Sequence, residues 1–180
     1  IRQQTRRLSE LTNDLTLLSR MEESENALPL IEFPVSEVIS DAAAPFQALA
    51  RQQGKRFICS IQPMLTLRGN DKAIQRLVLL LLDNALKYTP ADGTIALRFA
   101  AQSRTLCLSV SNPTGTEITP AELERVFDRF YRTDPSRSSA TGGYGIGLSV
   151  AKAIVTAHGG KIQADTQTGR DFRITASFPA

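Results

Sequence analysis

The stretch Leu79 to Pro90, LLLLDNALKYTP, constrains this chain more than any other. From Leu77 to Leu82 it is apolar on nearly every side, so a helix there must be buried. It then surfaces abruptly. At about 3.6 residues per turn, Asn84, Lys87 and Tyr88 stand at i, i+3 and i+4 and share one face. An amide oxygen can ligate a hard cation such as Mg²⁺, an ammonium can meet a phosphate, and a ring can lie against a base. Taken alone, the same triplet also fits a core helix whose last turn is polar because it reaches solvent.

A second stretch bears on the choice. Gly142 to Ser149, GGYGIGLS, is a glycine-rich loop running into an amphipathic segment, Leu148 to Ala157. Such a junction aims backbone amides and a helix N-terminus at an anion. Gly143, Gly145 and Gly147 alternate, which is not the dinucleotide spacing, and a polar stretch rather than a buried strand precedes them. The Gly-Lys-Ser/Thr ending of the other common phosphate loop is absent.

A chain of 180 residues, 42% hydrophobic, can bury a core. Its net charge of +3 is slight and its basic residues are spread, which argues against nucleic acid as a partner. Cys59 and Cys107 lie in strand-like apolar runs and read as buried, reduced thiols. No run is long enough to span a bilayer and no signal peptide opens the chain.

Ile1, Leu8, Leu11, Leu15 and Leu18 form a narrow seam, expected to be a bundle helix over residues 1–24 that pairs with another chain or with a helix cut off upstream. The chain opens inside that pattern, as an excised piece would. Residues 25–180 form the second unit. Leu28 to Pro34 reads as a short strand; Ser36 to Gln52 as a helix with Val38, Ile39, Ala42, Ala43, Phe46 and Leu49 inward; Lys55 to Ile61 and Leu65 to Leu67 as strands. Asn70 or Asp71 caps the central helix. Thr94 to Ala100 and Thr105 to Val110 follow as a hairpin. Thr119, Pro120 and Glu122 spell a capping box with proline at the first helical position. Phe127 and Phe130 read as packing residues that anchor the next segment. Arg132 to Gly143, too polar for a core and too long for a tight turn, is expected to be a mobile lid. Lys161 to Thr166 and Phe172 to Phe178 complete an α/β sandwich, a mixed sheet with three main helices on one face.

In order, LLLLDNALKYTP, VSNPTGTEI, FDRFYR and GGYGIGLS with AHGGKI behind it resemble the catalytic ATP-binding domain of bacterial sensor histidine kinases. The resemblance implies the ATP-binding fold shared with DNA gyrase, and makes the N-terminal helix the second helix of the dimerisation and phosphoacceptor hairpin. It implies ATP and Mg²⁺ as ligands, with Asn84 holding the metal, Lys87 at a terminal phosphate and Tyr88 beside the adenine. Arg132 would reach the γ-phosphate from the lid. Asn112, Gly115, Gly143, Gly145, Gly147 and Leu148 would complete the nucleotide site. A homodimer, a response-regulator receiver domain as partner, and a cytoplasmic location beneath a membrane anchor are further implications.

Two positions depart from the pattern. Leu80 stands where the family usually has a second Asn, and Asn112 stands where it usually has the Asp that accepts the adenine amino proton. An Asn oxygen can still accept that bond, at a loss of about 1 kcal/mol for the missing charge, so Asn112→Asp is expected to tighten binding. His158, the single histidine, ends a helix and reads as structural, which leaves these residues without a phosphoacceptor. The leading expectation is a histidine kinase lacking its own acceptor. An anti-sigma-factor-type serine kinase and a degenerate nucleotide-binding or dimerisation module are the alternatives.

Overall fold

A computed structural model of the chain describes Ser9, Thr12, Thr16 and Ser19, residues 30–131 and residues 145–180. Ser9, Thr12, Thr16 and Ser19 are helical and exposed, with the Thr16 hydroxyl donating to the Thr12 carbonyl at 2.8 Å. The leucines of the expected seam lie outside the described residues.

In chain order the elements are β1 (Ile31–Phe33), α1 (Val35–Gln52), β2 (Arg56–Ile61), β3 (Leu67–Gly69), α2 (Asp71–Tyr88), β4 (Thr94–Gln102), β5 (Thr105–Pro113), α3 (Pro120–Arg125), α4 (Gly147–Ala157), β6 (Lys161–Asp165) and β7 (Asp171–Pro179). Five strands form one sheet in the order β2-β4-β5-β7-β6. Only β2 and β4 pair in parallel there; the other neighbours are antiparallel. β1 and β3 form a separate antiparallel pair.

Alternation along the strands decides which face is covered. Ile95, Leu97 and Phe99 of β4, Leu106, Leu108 and Val110 of β5, and Phe172, Ile174, Ala176 and Phe178 of β7 are buried. Residues between them, such as Ser109, Ser111 and Thr175, stay half-exposed. A sheet with this period packs one face and wets the other. The packed face takes α1, α2 and α4, with α2 between its two neighbours. This is the sandwich expected from the sequence. Leu77, Val78, Leu81 and Leu82 of α2 are almost wholly buried, each stabilising the fold by about 1.5–3 kcal/mol relative to an exposed position.

Local signals mostly hold. The Asn70 side chain accepts from the Ala73 amide at 2.9 Å and starts α2. Thr119 and Glu122 form the full capping box of α3. Pro34 ends β1 and occupies the cap position of α1 rather than an edge.

Several expectations are corrected. Leu49 is 39% exposed and Ala50, its neighbour on the helix that continues past Pro45 to Gln52, takes the inward position. Cys59 is exposed and Cys107 half-exposed, not buried, and both are free. β2 is an edge strand, and Cys107 belongs to the wet face of β5. Phe127 packs against the core, but Phe130 is 66% exposed and does not. Among the described residues no helix is long and apolar enough to cross a membrane.

Candidate nucleotide site

The end of α2 is shaped by a proline. Leu86 would normally share its carbonyl with the amide four residues on, but that residue is Pro90 and has no N–H. The Lys55 ammonium donates to the Leu86 carbonyl instead, and also to the Gln53 side chain at 3.0 Å. Partial burial there pulls the Lys55 pKa down. One residue earlier, the Ala85 carbonyl accepts from both the Thr89 amide (3.0 Å) and the buried Thr89 hydroxyl (2.6 Å). The last turn, which carries Asn84, Lys87 and Tyr88, is therefore fixed.

Asn84, Lys87 and Tyr88 all lie within α2, near its end. Asn84 and Lys87 are half-buried and Tyr88 is 39% exposed. The Lys87 ammonium lies 5.1 Å from the Tyr88 ring centroid, a cation–π contact that keeps the cation over the ring.

Three other segments are brought to this end. A Cβ on Gly93 would fall 2.5 Å from Thr89 Cγ2 and 3.0 Å from Pro113 Cγ, so the turn after α2 touches the end of β5. Asn112 sits there, 5% exposed. Its amide nitrogen donates to the Pro113 carbonyl at 2.9 Å, which leaves its oxygen as the acceptor. That bond argues against the expected benefit of an aspartate. A carboxylate would set oxygen against oxygen at a buried position, costing about 1–3 kcal/mol against the roughly 1 kcal/mol a charged acceptor gains.

The third segment is the start of α4. A Cβ on Gly147 would meet only Leu80 Cδ2, at 3.5 Å. Leu80 is 8% exposed and serves the core, which is why it offers no ligand. Asn84 lies one turn further along the same face, toward the start of α4. Among the described residues no side chain caps α4, and its first turn holds no acidic residue. Gly145 is needed as glycine: its φ is +71°, and a Cβ would fall 2.8 Å from the Tyr131 carbonyl. The Phe130 amide donates to the Gly145 carbonyl at 2.9 Å, and Phe130 itself has φ +62°. Tyr131 is held by Arg125, whose guanidinium lies 4.4 Å from the ring centroid while also pairing with Asp128 at 3.4 Å. Gly115 has open space where a Cβ would stand, so the protein itself does not demand glycine there. Arg132 and Gly143, with the rest of the expected lid, lie outside the described residues.

At the far ends of α2 and α4 stands His158. It is 7% exposed, its Nδ1–H donates to the Ile154 carbonyl (2.7 Å), and its Nε2 accepts from the Asn70 amide (3.0 Å). One neutral tautomer satisfies both bonds. The ring also meets Phe178 edge-on at 6.1 Å. Gly69 gives it room, since a Cβ there would fall 2.6 Å from the ring.

Sequence reasoning passed over Lys55 and Thr89. Pro90, four residues after Leu86, was the available signal for Lys55: it announces a carbonyl in need of a donor.

A buried helix, the loop after β5 and a glycine-led helix start at one end of a half-covered sheet define an ATP-binding class of fold. Residues 69–180 match the family described as histidine kinase-, DNA gyrase B- and HSP90-like ATPase, and the chain belongs to it. It is 32% identical over 178 residues to the phosphate regulon sensor protein PhoR of Pseudomonas aeruginosa, covering 99% of this chain and 40% of that protein. It is 34% identical over 179 residues to the sensor histidine kinase CusS of Escherichia coli, covering 97% of this chain and 36% of that one. The chain thus spans well under half the length of the curated relatives it matches. Among solved structures, the histidine kinase ThkA in complex with the response regulator protein TrrA superposes with a TM-score of 0.75 at 22% identity, over 97% of this chain and 48% of that one.

Proposed function

We propose that this chain is the catalytic ATP-binding portion of a sensor histidine kinase. It would hold Mg-ATP between the end of α2, the loop after β5 and the start of α4, and pass the γ-phosphoryl group to a histidine for relay to a response-regulator aspartate. What supports this reading is that Asn84, Lys87 and Tyr88 share the end of α2, the turn after α2 meets the end of β5 beside Asn112, and Leu80 of α2 meets Gly147 at the start of α4. Tyr88 flanks the base and the Asn112 oxygen accepts its amino hydrogen. The α4 amides and Lys87 face the phosphates, and Gly115 and Gly147 leave the backbone open to close approach. Arg132 is expected to join them at the γ-phosphate.

The donor set fits Mg²⁺ in a limited way. Asn84 supplies one hard oxygen and Leu80 none, which suits an ion that keeps most of its waters and arrives on the nucleotide's phosphates. When bound, it would supply neutralisation of phosphate charge.

The acceptor histidine lies outside these 180 residues. His158, the single histidine, is buried with both nitrogens engaged, and phosphoryl transfer needs a nitrogen in line with the γ-phosphate. The full-length protein would dimerise through the helix expected over residues 1–24 and be anchored in the cell membrane.

Calorimetry with ATP and ADP in Mg²⁺ tests the site. Lys87→Ala is expected to weaken ATP about tenfold and ADP less, because the ammonium meets the terminal phosphate. With γ-labelled ATP, label is expected on a separately supplied hairpin carrying an exposed histidine, and none on this chain. The absence of heat and thermal shift at millimolar nucleotide would overturn the reading. So would acid-labile label on the chain that is lost in His158→Ala.

A further inference from the structure

The turn between β6 and β7 is wound around one carboxylate. Asp171 accepts from the Thr168 amide (2.7 Å), the Gln167 amide (3.2 Å), the Thr166 hydroxyl (3.2 Å) and the Thr168 hydroxyl. The two hydroxyls accept in their turn: Thr166 from the Gly169 amide (2.9 Å), Thr168 from the Arg170 amide (3.2 Å). Gly169, at φ +76°, completes the reversal. These donors hold the Asp171 carboxyl down at about 2, so it stays charged through any working pH.

What the turn does next is the point of interest. Its last two carbonyls face the loop after β5: the Ile118 amide donates to Gly169 (2.7 Å) and the Thr114 amide to Arg170 (2.9 Å). Between them Gly115, Thr116 and Glu117 belong to no helix or strand. Pro113 sits opposite Asp171 and Asn112 opposite Phe172 in the β5–β7 register. The segment that follows Asn112 is thus hung at both ends on a turn whose shape depends on Asp171. We propose that Asp171 is a positioning residue for nucleotide binding, holding the 113–118 loop in the form that lets Asn112 and its neighbours accept the base. The inference rests on the placement of the adenine beside Asn112.

The test pairs two measurements on the whole chain: amide hydrogen exchange, and affinity for ADP set against tripolyphosphate, which has no base. Asp171→Ala and the milder Thr168→Val are expected to speed exchange at Thr114 and Ile118 by about tenfold or more. Leu108 and Val110 of β5 should keep their protection and so report a folded sheet. ADP affinity is expected to fall about tenfold and tripolyphosphate affinity to stay put. Unchanged exchange at Thr114 and Ile118 in both variants overturns the proposal, as does faster exchange with ADP affinity intact while Asn112→Ala weakens it. If Asn112→Ala also leaves ADP affinity intact, the adenine is not read at this loop, and the placement and the proposal fall together. Should Asp171→Ala lose protection throughout β5, Thr168→Val alone decides by the same criteria.

Discussion

The antiparallel helices α2 and α4 meet at two ends that are built differently. At the Asn70 and His158 end, a side chain of one helix bonds directly to the cap of the other, within a buried shell closed by Phe178 and a glycine too tight for any other residue. At the Asn84 and Gly147 end, among the described residues, a Cβ on Gly147 would stand 3.5 Å from the Leu80 methyl, and Asn84 and Lys87 are half-buried. That second end is instead held from outside, by Lys55 and by the turn at Gly93. One end fixes the spacing of the pair, which lets the other keep polar groups available without collapsing on itself. Sites of chemistry commonly sit at the more open end of such an arrangement.

The largest expected effect comes from breaking the locked end. His158→Ala removes two hydrogen bonds, strands the Asn70 amide and leaves a cavity, and should cost about 2–4 kcal/mol in urea unfolding. Nucleotide affinity of the protein that remains folded should change by no more than about twofold. A large loss of affinity at unchanged stability would show that the two ends are not separable in this way.

Asn112→Asp is the next in size. It should lower stability by about 1–3 kcal/mol, by opposing a carboxylate to the Pro113 carbonyl, and should not tighten ADP. Tighter binding in calorimetry would mean that the amide nitrogen is dispensable where it now donates. Smaller again, Lys55→Met should cost about 1 kcal/mol by stranding the Leu86 carbonyl at a partly exposed site. In contrast to His158→Ala, its stability loss should be accompanied by weaker nucleotide binding, since the turn bearing Lys87 and Tyr88 loosens.

The smallest effect is the pH response of the locked end. Burial holds the folded His158 pKa below its ordinary 6.5. Between that lowered value and 6.5 the unfolded chain binds more protons, so stability rises with pH across this window. It is complete above 6.5 and drains as pH falls toward the folded value. Asp171, depressed from 3.8 to about 2, adds a separate loss at much lower pH, as its carboxylate protonates. Urea midpoints from about pH 8 to about pH 5 should slope downward in the wild type and be flatter in His158→Gln.

Much of this was legible because it is local. The continuous apolar run of α2, the Asn70 cap, the Thr119 capping box and the alternation along β4, β5 and β7 depend on neighbours a few residues away. The triplet Asn84, Lys87 and Tyr88 was visible because helical spacing alone puts it on one face. What escaped depends on distant partners. Nothing near Cys59 says that β2 will be an edge strand. Phe130 looks like a core aromatic until the Gly145 carbonyl claims its amide and its backbone turns left-handed. Leu80 could be seen to lack a ligand, but not to fill the space beside Gly147. The role of Asp171 needs two loops to meet that lie far apart in the chain.

The strand order has a consequence for how the polypeptide is made. β2, β4 and β5 lie in one stretch, and the β4–β5 hairpin is local enough to close early. The other edge of β5 must wait for β7, paired from Thr105 opposite Pro179 to Pro113 opposite Asp171, and β7 emerges from the ribosome only after α3, α4 and β6. Until then a long central strand offers its unpaired amides and carbonyls beside an incompletely covered apolar face. A nascent chain in that state is a template for pairing with its neighbours. Stalling translation just before Asp171 should therefore give a species that chaperones hold and that aggregates on release.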